Sequence, residues 1–374
     1  MAGEWIETTV GEQATLQRGI DITRAEQRVG TVPVVSSGGV SSHHDTPAAT
    51  GPGVILGRKG VIGSIYYMPS DYWPHDTTLW VKDFHRNDPR FVYYFFRWLA
   101  PRIATMDVGS ANPTLNRNHV HPIEVRWPRR VVEQRAIAHI LGTLDDKIEL
   151  NRCMNETLEA IAQALFKSWF LDATEDGLPK GWRVSPLPDA IEVNPPRSLR
   201  KRETAPYVDM QNMPTQGHRP LAWIDREFGS GMRFINGDTL LARITPCLEN
   251  GKTAFVDWLE DGQVGWGSTE YIVLHPKPPL PPEYAYYLAR SEELRTHAIQ
   301  NMTGSSGRQR VPSECFAQFE IPVPPEPIAR QFGEIAKQLM HFIRVNDEQS
   351  RTLAALRDAL LPKLISGEIR VRIA

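Results

Sequence analysis

Val193-Asn194-Pro195-Pro196-Arg197 comes close to the Asn-Pro-Pro-aromatic loop with which amino-methyltransferases hold an extruded adenine. That chemistry needs an aromatic ring to stack on the base, and Arg197 stands in its place. It also needs a glycine-rich strand-turn-helix for S-adenosylmethionine, which the sequence lacks. The segment reads better as a rigid turn leading to the basic cluster Arg200, Lys201 and Arg202. No phosphate-binding loop is present either. His119 and His121, spaced to share one side of a strand, and the adjacent pair His43-His44 lack a third ligand at metal spacing, so no metal site is expected. Asp238 with Glu249 to Lys252 has the wrong spacing for nuclease carboxylates, and Glu249-Asn250-Gly251-Lys252 reads as a hairpin turn.

The remaining candidates are loops that mix Arg, Lys, Asn, Gln and Ser. Arg matches guanine, Asn and Gln match adenine, and hydroxyl and ammonium groups hold phosphates. One such stretch runs from Ser36 to His44, with Ser41, His43 and His44, beside Arg58 and Lys59. A second holds Ser110, Asn112, Asn116 and Arg117, and a third holds Ser305, Ser306, Arg308, Gln309 and Arg310, with Arg243. Together with Arg200, Lys201 and Arg202 these form the candidate DNA-contacting set. The second and third stretches follow Gly109 and Gly304 at matching points of the chain, which favours a shared role.

A chain of 374 residues, 41% apolar and 23% charged, has room for two or three domains with real cores. Its net charge of −2 means that any grip on nucleic acid must come from local basic clusters. No apolar run approaches the roughly 20 residues that span a bilayer, and the start of the chain lacks the features of a signal peptide, so a cytoplasmic location is expected. Cys153, Cys247 and Cys315 are scattered without paired spacing and read as reduced and structural.

The elements that must position those loops occur twice. Apolar and small residues at Ile137, Leu141, Leu144, Ile148, Leu158, Ala162, Leu165 and Trp169 step alternately by about four and three, the rhythm of a coiled-coil seam. Phe332, Ile335, Leu339, Phe342, Leu353, Leu356 and Leu360 repeat it. A shift of about 195 residues superposes the two runs, including the polar interruptions Asn151 and Asn155 on one and Asn346 and Gln349 on the other, which are assigned to fixing seam register. Ahead of each seam lie β-type runs separated by Gly and Pro: 53–58 is answered by 238–244, 77–81 by 269–274 and 89–96 by 282–288.

The chain therefore divides into a first globular domain at 1–128, a central long helix at 129–172, a linker at 173–182, a second globular domain at 183–326, a distal long helix at 327–366 and a tail at 367–374. At 1.5 Å per residue the first helix could reach ~60 Å. A compact domain of ~14 Å radius with short linkers cannot easily bridge such a length, so the helices should run antiparallel with the domains at opposite ends. The expected fold is α+β: two sheet-containing globular domains separated by two long antiparallel coiled-coil helices, with internal pseudo-two-fold symmetry. A duplex has a matching pseudo-two-fold, and two non-identical domains would read two different half-sites.

Residues 133–138 (Glu-Gln-Arg-Ala-Ile-Ala), Leu150-Asn151-Arg152, Asn155 to Glu159, Leu165 to Phe170 and Leu360 to Ile369 resemble the specificity (S) subunits of type I restriction-modification systems, and the resemblance covers almost the whole chain. It implies two target-recognition domains on helical spacers, no catalysis in this chain, and a bipartite, asymmetric DNA site in a bacterial or archaeal phage-defence system. Implied partners are double-stranded DNA, two methyltransferase (M) subunits docked on the helices, and restriction/translocase (R) subunits. S-adenosylmethionine, ATP and Mg would sit on those partners. Arg330-Gln331 replaces the usual glutamate-glutamine pair at the start of the second helix, which bears on whether both helix starts dock identically. Ile140, Ile161, Phe166 and Phe170 lie beside or off the seam and either receive a docked subunit or extend the core. Two other readings remain open: a stand-alone DNA adenine methyltransferase, and a coiled-coil adaptor that does not touch DNA.

Overall fold

Short apolar runs punctuated by Gly and Pro fold as strands in the computed structural model, which describes residues 5–106, 114–175, 177–305 and 307–371. The chain forms two units, Met1–Glu149 with Ser350–Ala374, and Leu150–Gln349. Each unit thus takes a globular portion together with part of each long helix.

The first unit contains β1 (Trp5–Thr9), α1 (Val10–Gln13), β2 (Thr15–Arg18), β3 (Val32–Ser36), β4 (Gly39–His44) and β5 (Gly53–Gly57). These are followed by β6 (Ile65–Met68), β7 (Trp73–Pro74), β8 (Thr78–Asp83), α2 (Pro89–Ala104), α3 (Arg117–Val120), β9 (Glu124–Pro128) and the start of α4 (Val131–Phe166). Beyond α4 come β10 (Arg183–Pro186), α5 (Leu187–Ala190), β11 (Ile191–Val193), β12 (Thr204–Val208), β13 (Ile224–Glu227) and β14 (Met232–Phe234). The chain continues with β15 (Thr239–Ala242), β16 (Thr253–Phe255), β17 (Gly265–Gly267), β18 (Tyr271–Pro276), α6 (Pro282–Arg290), α7 (Glu292–Gln300), β19 (Glu320–Val323) and α8 (Glu326–Ile365).

The duplication extends to strand order. A four-stranded sheet β2-β8-β5-β6 is matched by β11-β18-β15-β16, and the two-stranded β1-β9 by β10-β19. The remaining sheet, β4-β3-β7, is matched by β13-β12-β17-β14, and in both the β3–β7 and β12–β17 pairings are parallel. The halves differ where one long helix, α2, corresponds to the shorter α6 and α7. Ser291 interrupts that run: its side chain accepts from Leu294 N, and Glu292 and Glu293 follow in the first turn, a strong start signal for a new helix.

Asp88 starts α2 by accepting from Phe91 N at 2.9 Å, with Pro89 at the first turn. The helix buries Phe91, Phe95, Phe96 and Leu99 with Leu16, Val54, Leu56 and Leu79 of the sheet. Ile137, Ala138 and Leu141 of α4 and Leu361, Leu364 and Ile365 of α8 complete this core. In the second unit Phe166 and Phe170 close on Tyr284 and Phe332, with ring centroids 4.9–5.8 Å apart. These two phenylalanines are therefore core residues rather than a surface left for a partner, because the helix buries a second face beneath α6. Ile140 packs partly buried against the first core, and Ile161 stays 45% exposed.

The long helices run antiparallel within each unit. In the first, Arg357 Nη1 donates to Asp145 Oδ1 at 2.6 Å, while Tyr94 (2.7 Å) and Arg97 (2.9 Å) reach its Oδ2. In the second, the fully buried Asn151 donates from Nδ2 to the Asn346 carbonyl at 3.2 Å and to Gln349 Oε1 at 3.0 Å. Asn155 donates to Asp347 Oδ1 at 2.8 Å and accepts from Asn346 Nδ2 at 2.9 Å. Among the described residues no helix is long and apolar enough to cross a membrane.

Phe332→Ala, which empties a site 1% exposed and ringed by aromatic side chains, should cost ~3–5 kcal/mol in urea unfolding. Burial pushes the Cys315 thiol up to about 11, whereas Cys153 is exposed. Iodoacetamide at pH 8 should accordingly label Cys153 and spare Cys315 in peptide mass spectra.

Candidate nucleic-acid interface

The basic loops converge on one backbone scheme that occurs in both units. Arg58 follows β5; its N donates to the Thr77 carbonyl at 2.9 Å and its carbonyl accepts from Leu115 N at 2.9 Å. Arg243 follows β15; its N donates to the Glu270 carbonyl at 3.0 Å and its carbonyl accepts from Val311 N at 2.9 Å. A bridge between Lys59 and Thr114 in one unit corresponds to one between Ile244 and Arg310 in the other. Segments distant in sequence are thus sewn to the end of a central strand, bringing Arg58 and Lys59 beside the approach to Asn116 and Arg117, and Arg243 beside Gln309 and Arg310.

In the first unit, Arg18 Nη2 (2.9 Å) and Lys59 Nζ (3.3 Å) share Asp76 Oδ2, and Arg58 Nη1 donates to the Asp76 carbonyl at 3.3 Å. Burial alone would raise the Asp76 carboxyl, but the bonds from Arg18 and Lys59 outweigh it and hold it below the usual value. Burial, and then the charge of Arg18, lower the pKa of Arg58. Three cations around one carboxylate leave a local positive excess suited to phosphate. Asp21, His75 and Asp76 come within ligand distance of one another, but Asp76 is already held by two cations. Asn116 caps the short α3 by accepting from Asn118 N at 3.0 Å, and the exposed Arg117 reaches the Leu16 carbonyl. Ser110 and Asn112 lie outside the described residues, as does Ser306 in the second unit.

His44 has to be withdrawn from the contact set. It is 3% exposed, its ring meets Trp73 edge-on at 5.3 Å, and its Nδ1 accepts from Arg28 N at 2.9 Å, so it is a core group holding the loop before β3. Ser41 and His43 remain exposed on β4, with the Ser41 hydroxyl donating to the Val34 carbonyl at 3.2 Å. His119 and His121 do not share a strand face: His119 is exposed on α3, and His121 Nε2 accepts from Leu16 N at 2.9 Å. Burial, aided by Arg117, lowers the His121 pKa and favours the neutral ring that this bond requires.

In the second unit, Ser305 and Arg308 are exposed on a loop closed by the Thr303–Arg310 bridge. Arg308 N donates to the Ser305 carbonyl at 3.0 Å, and Thr245 N donates to the Gln309 carbonyl at 3.0 Å. Arg310 places Nε and Nη2 on the Glu270 carboxylate at 2.8–2.9 Å, a bond that raises its pKa and orients its guanidinium. Arg200, Lys201 and Arg202 form an exposed turn, with Arg202 at φ +66° and its N donating to the Phe228 carbonyl at 2.9 Å. Arg197 is spent on Asp238 (3.0 Å), a buried carboxylate that also takes His275 Nδ1 (2.7 Å) and Ile235 N (2.9 Å). The four residues of β13 are all exposed, and nothing in Ile224-Asp-Arg-Glu227 marks a strand apart from its pairing with β12.

Residues 3–160 match the family model of the type I restriction modification DNA specificity domain. The chain is 26% identical over 305 residues to the MjaIX type I restriction enzyme specificity subunit of Methanocaldococcus jannaschii, covering 75% of this chain and 69% of that one. It is 30% identical over 230 residues to the EcoEI specificity subunit of Escherichia coli, covering 58% of this chain and 38% of that one. Among solved structures, the S subunit of a type I restriction-modification system from M. genitalium aligns with a TM-score of 0.64 at 16% identity, over 97% of this chain and 96% of that one. At that identity the likeness establishes the fold.

His44→Ala should lower stability by ~1–3 kcal/mol in chemical unfolding, because it strips a partner from the Arg28 amide and empties a packed site. Arg308→Ala should stay within ~0.5 kcal/mol. The Asp45 carboxyl is held at about 2 by its bonds from Arg28 and then Thr46. A depressed carboxylate pKa contributes stability above the ordinary value that is lost as pH falls through the folded one. NMR titration should therefore show the Arg28–Asp45 tie intact at pH 4 and opening near pH 2.

Proposed function

We infer, because this chain belongs to the type I restriction-modification specificity family, that it is the non-catalytic subunit selecting a bipartite, asymmetric DNA site for that complex. The observation that carries this reading is the repeated scheme around Arg58 and Arg243: one set of backbone bonds, in two units, presents two different loop sequences. A shared frame with divergent side chains is what reading two unlike half-sites requires. The Arg18–Arg58–Lys59 group and Arg117 would hold phosphates of one half-site. Arg308, Ser305 and the turn Arg200–Arg202 would serve the other, with Arg310 oriented by Glu270.

Two methyltransferase subunits dock on the helices in this reading, and restriction/translocase subunits join the assembly in a bacterial or archaeal cytoplasm. S-adenosylmethionine, ATP and Mg belong to those partners. Exposed apolar side chains on the second unit's helical segments, among them Leu150, Met154, Ile161, Phe342 and Val345, supply surface for docking. Asn151, Asn155, Asn346 and Gln349 fix the register of the seam.

The test is base-modification sequencing of DNA from a methylation-free host expressing this chain with the methyltransferase encoded beside it. A split motif methylated on both strands only when this chain is present is the expected result. A stable complex without any modification would instead favour the adaptor reading. Within that assay, Arg308→Ala should change or abolish one half of the motif and leave the other half as it was.

A further inference from the structure

Strand register identifies the second-unit counterpart of β4. In β3, Pro33 faces His43, while Val34 faces Ser42 on one side and Trp73 on the other; in β12, Pro206 faces Asp225, while Tyr207 faces Ile224 and Trp266. The same register sets Arg226, opposite Ala205, in the place of His44, opposite Val32. The two faces are finished differently. In the first unit His44 is buried against Trp73 under the loop that carries Arg28. In the second the strand is open: the Arg226 guanidinium lies 4.9 Å from the centroid of the Tyr207 ring and 5.7 Å from that of Trp266, whose Nε1 donates to the Arg226 carbonyl at 3.3 Å.

The opposite side of this sheet is committed to the core, through Val208, Met232 and Phe234. The outer side carries Arg226, Tyr207, Trp266 and Arg233, the last opposite Trp266 across β14 and β17. Among the described residues no ion pair engages Arg226 or Arg233. A guanidinium laid on aromatic rings keeps its plane fixed while its N–H edge stays free, which lowers the entropy lost on making a bidentate contact. That edge matches the O6 and N7 acceptors of guanine. The basic turn Arg200–Arg202, bonded to Phe228, borders the same face and can hold phosphate.

We propose that the outer face of the β13-β12-β17-β14 sheet contacts DNA in the half-site of the second domain, with Arg226 as its base-reading side chain. The assignment rests on the specificity-subunit reading above. Its test uses the full chain with its methyltransferase in the methylation-free host, comparing wild type, Arg226→Lys and Arg226→Ala by base-modification sequencing, with melting curves of the purified complexes.

Lysine retains the charge and the aromatic contact but not the fork. The expected result is a folded Arg226→Lys complex whose motif becomes degenerate at one base pair of one half, with discrimination there reduced roughly 5- to 150-fold. Arg226→Ala should affect the same half. An unchanged motif, an even fall in methylation at an unchanged motif, loss of all methylation or an unfolded Arg226→Lys complex would each overturn the assignment, making Arg226 a surface or scaffold residue. If wild type itself yields no split motif, the specificity reading fails, and Arg226 with it.

Discussion

Inside the helical seam, the wholly buried Asn151 donates to the Asn346 carbonyl and to Gln349, while Asn155 and Asn346 bond one another. Sliding α8 by one turn, ~5.4 Å, would keep apolar rows in contact but strand these amides, at roughly 1–3 kcal/mol for each buried group left without a partner. The apolar rows alone tolerate such a slip, whereas the bonds of these amides are made in one register. The α8 residues that complete each core differ: Leu361, Leu364 and Ile365 in the first unit, Phe332 and Met340 in the second.

Each domain is also tied to the long helices by a phenol. Tyr94 donates to Asp145 in the first unit and Tyr286 to Glu159 in the second, both at 2.7 Å. Burial, reinforced by the carboxylate, raises the pKa of each phenol and keeps it a donor. The carboxylates come from different turns of α4, so the two ties do not share a sequence position even though the strand orders match. What has been retained between the halves is backbone pairing; what has changed is side-chain chemistry. The turn Ser37-Gly38 joins β3 to β4, whereas residues 209–223 join β12 to β13, and Arg290 secures that longer segment by donating to the Thr215 and Gly217 carbonyls. A frame held by main-chain bonds accommodates such insertions without losing its core.

Much of this was legible in the residues. Heptad spacing marked both long helices, polar breaks at Asn151 and Asn346 marked a matched pair, and Gly- and Pro-bounded runs marked the strands around Arg58 and Arg243. Arg197 in the place of an aromatic residue, with the lack of a glycine-rich loop, spoke against the chemistry that Asn194-Pro195-Pro196 mimics. Non-local packing was not legible. His43 and His44 look alike in a Gly- and Ser-rich stretch, and only the pleat, together with Trp73 and Arg28, buries one and exposes the other. Phe166 and Phe170 sit beside the seam by spacing, and it is α6, more than a hundred positions away, that covers them. Arg226 carries no local signal at all, since its meaning comes from the strand it pairs with.

The second unit is a single continuous stretch, Leu150–Gln349, whereas the first joins Met1–Glu149 to Ser350–Ala374. A ribosome delivers the last helical turns of α8 only after the whole second unit has emerged, and until then Ile137 and Leu141 lack Leu361, Leu364 and Ile365 to pack against. N-terminal domains ordinarily finish folding first during synthesis. Here the order is inverted: the unit that opens earlier along the chain can close only after the unit inserted within it has been made.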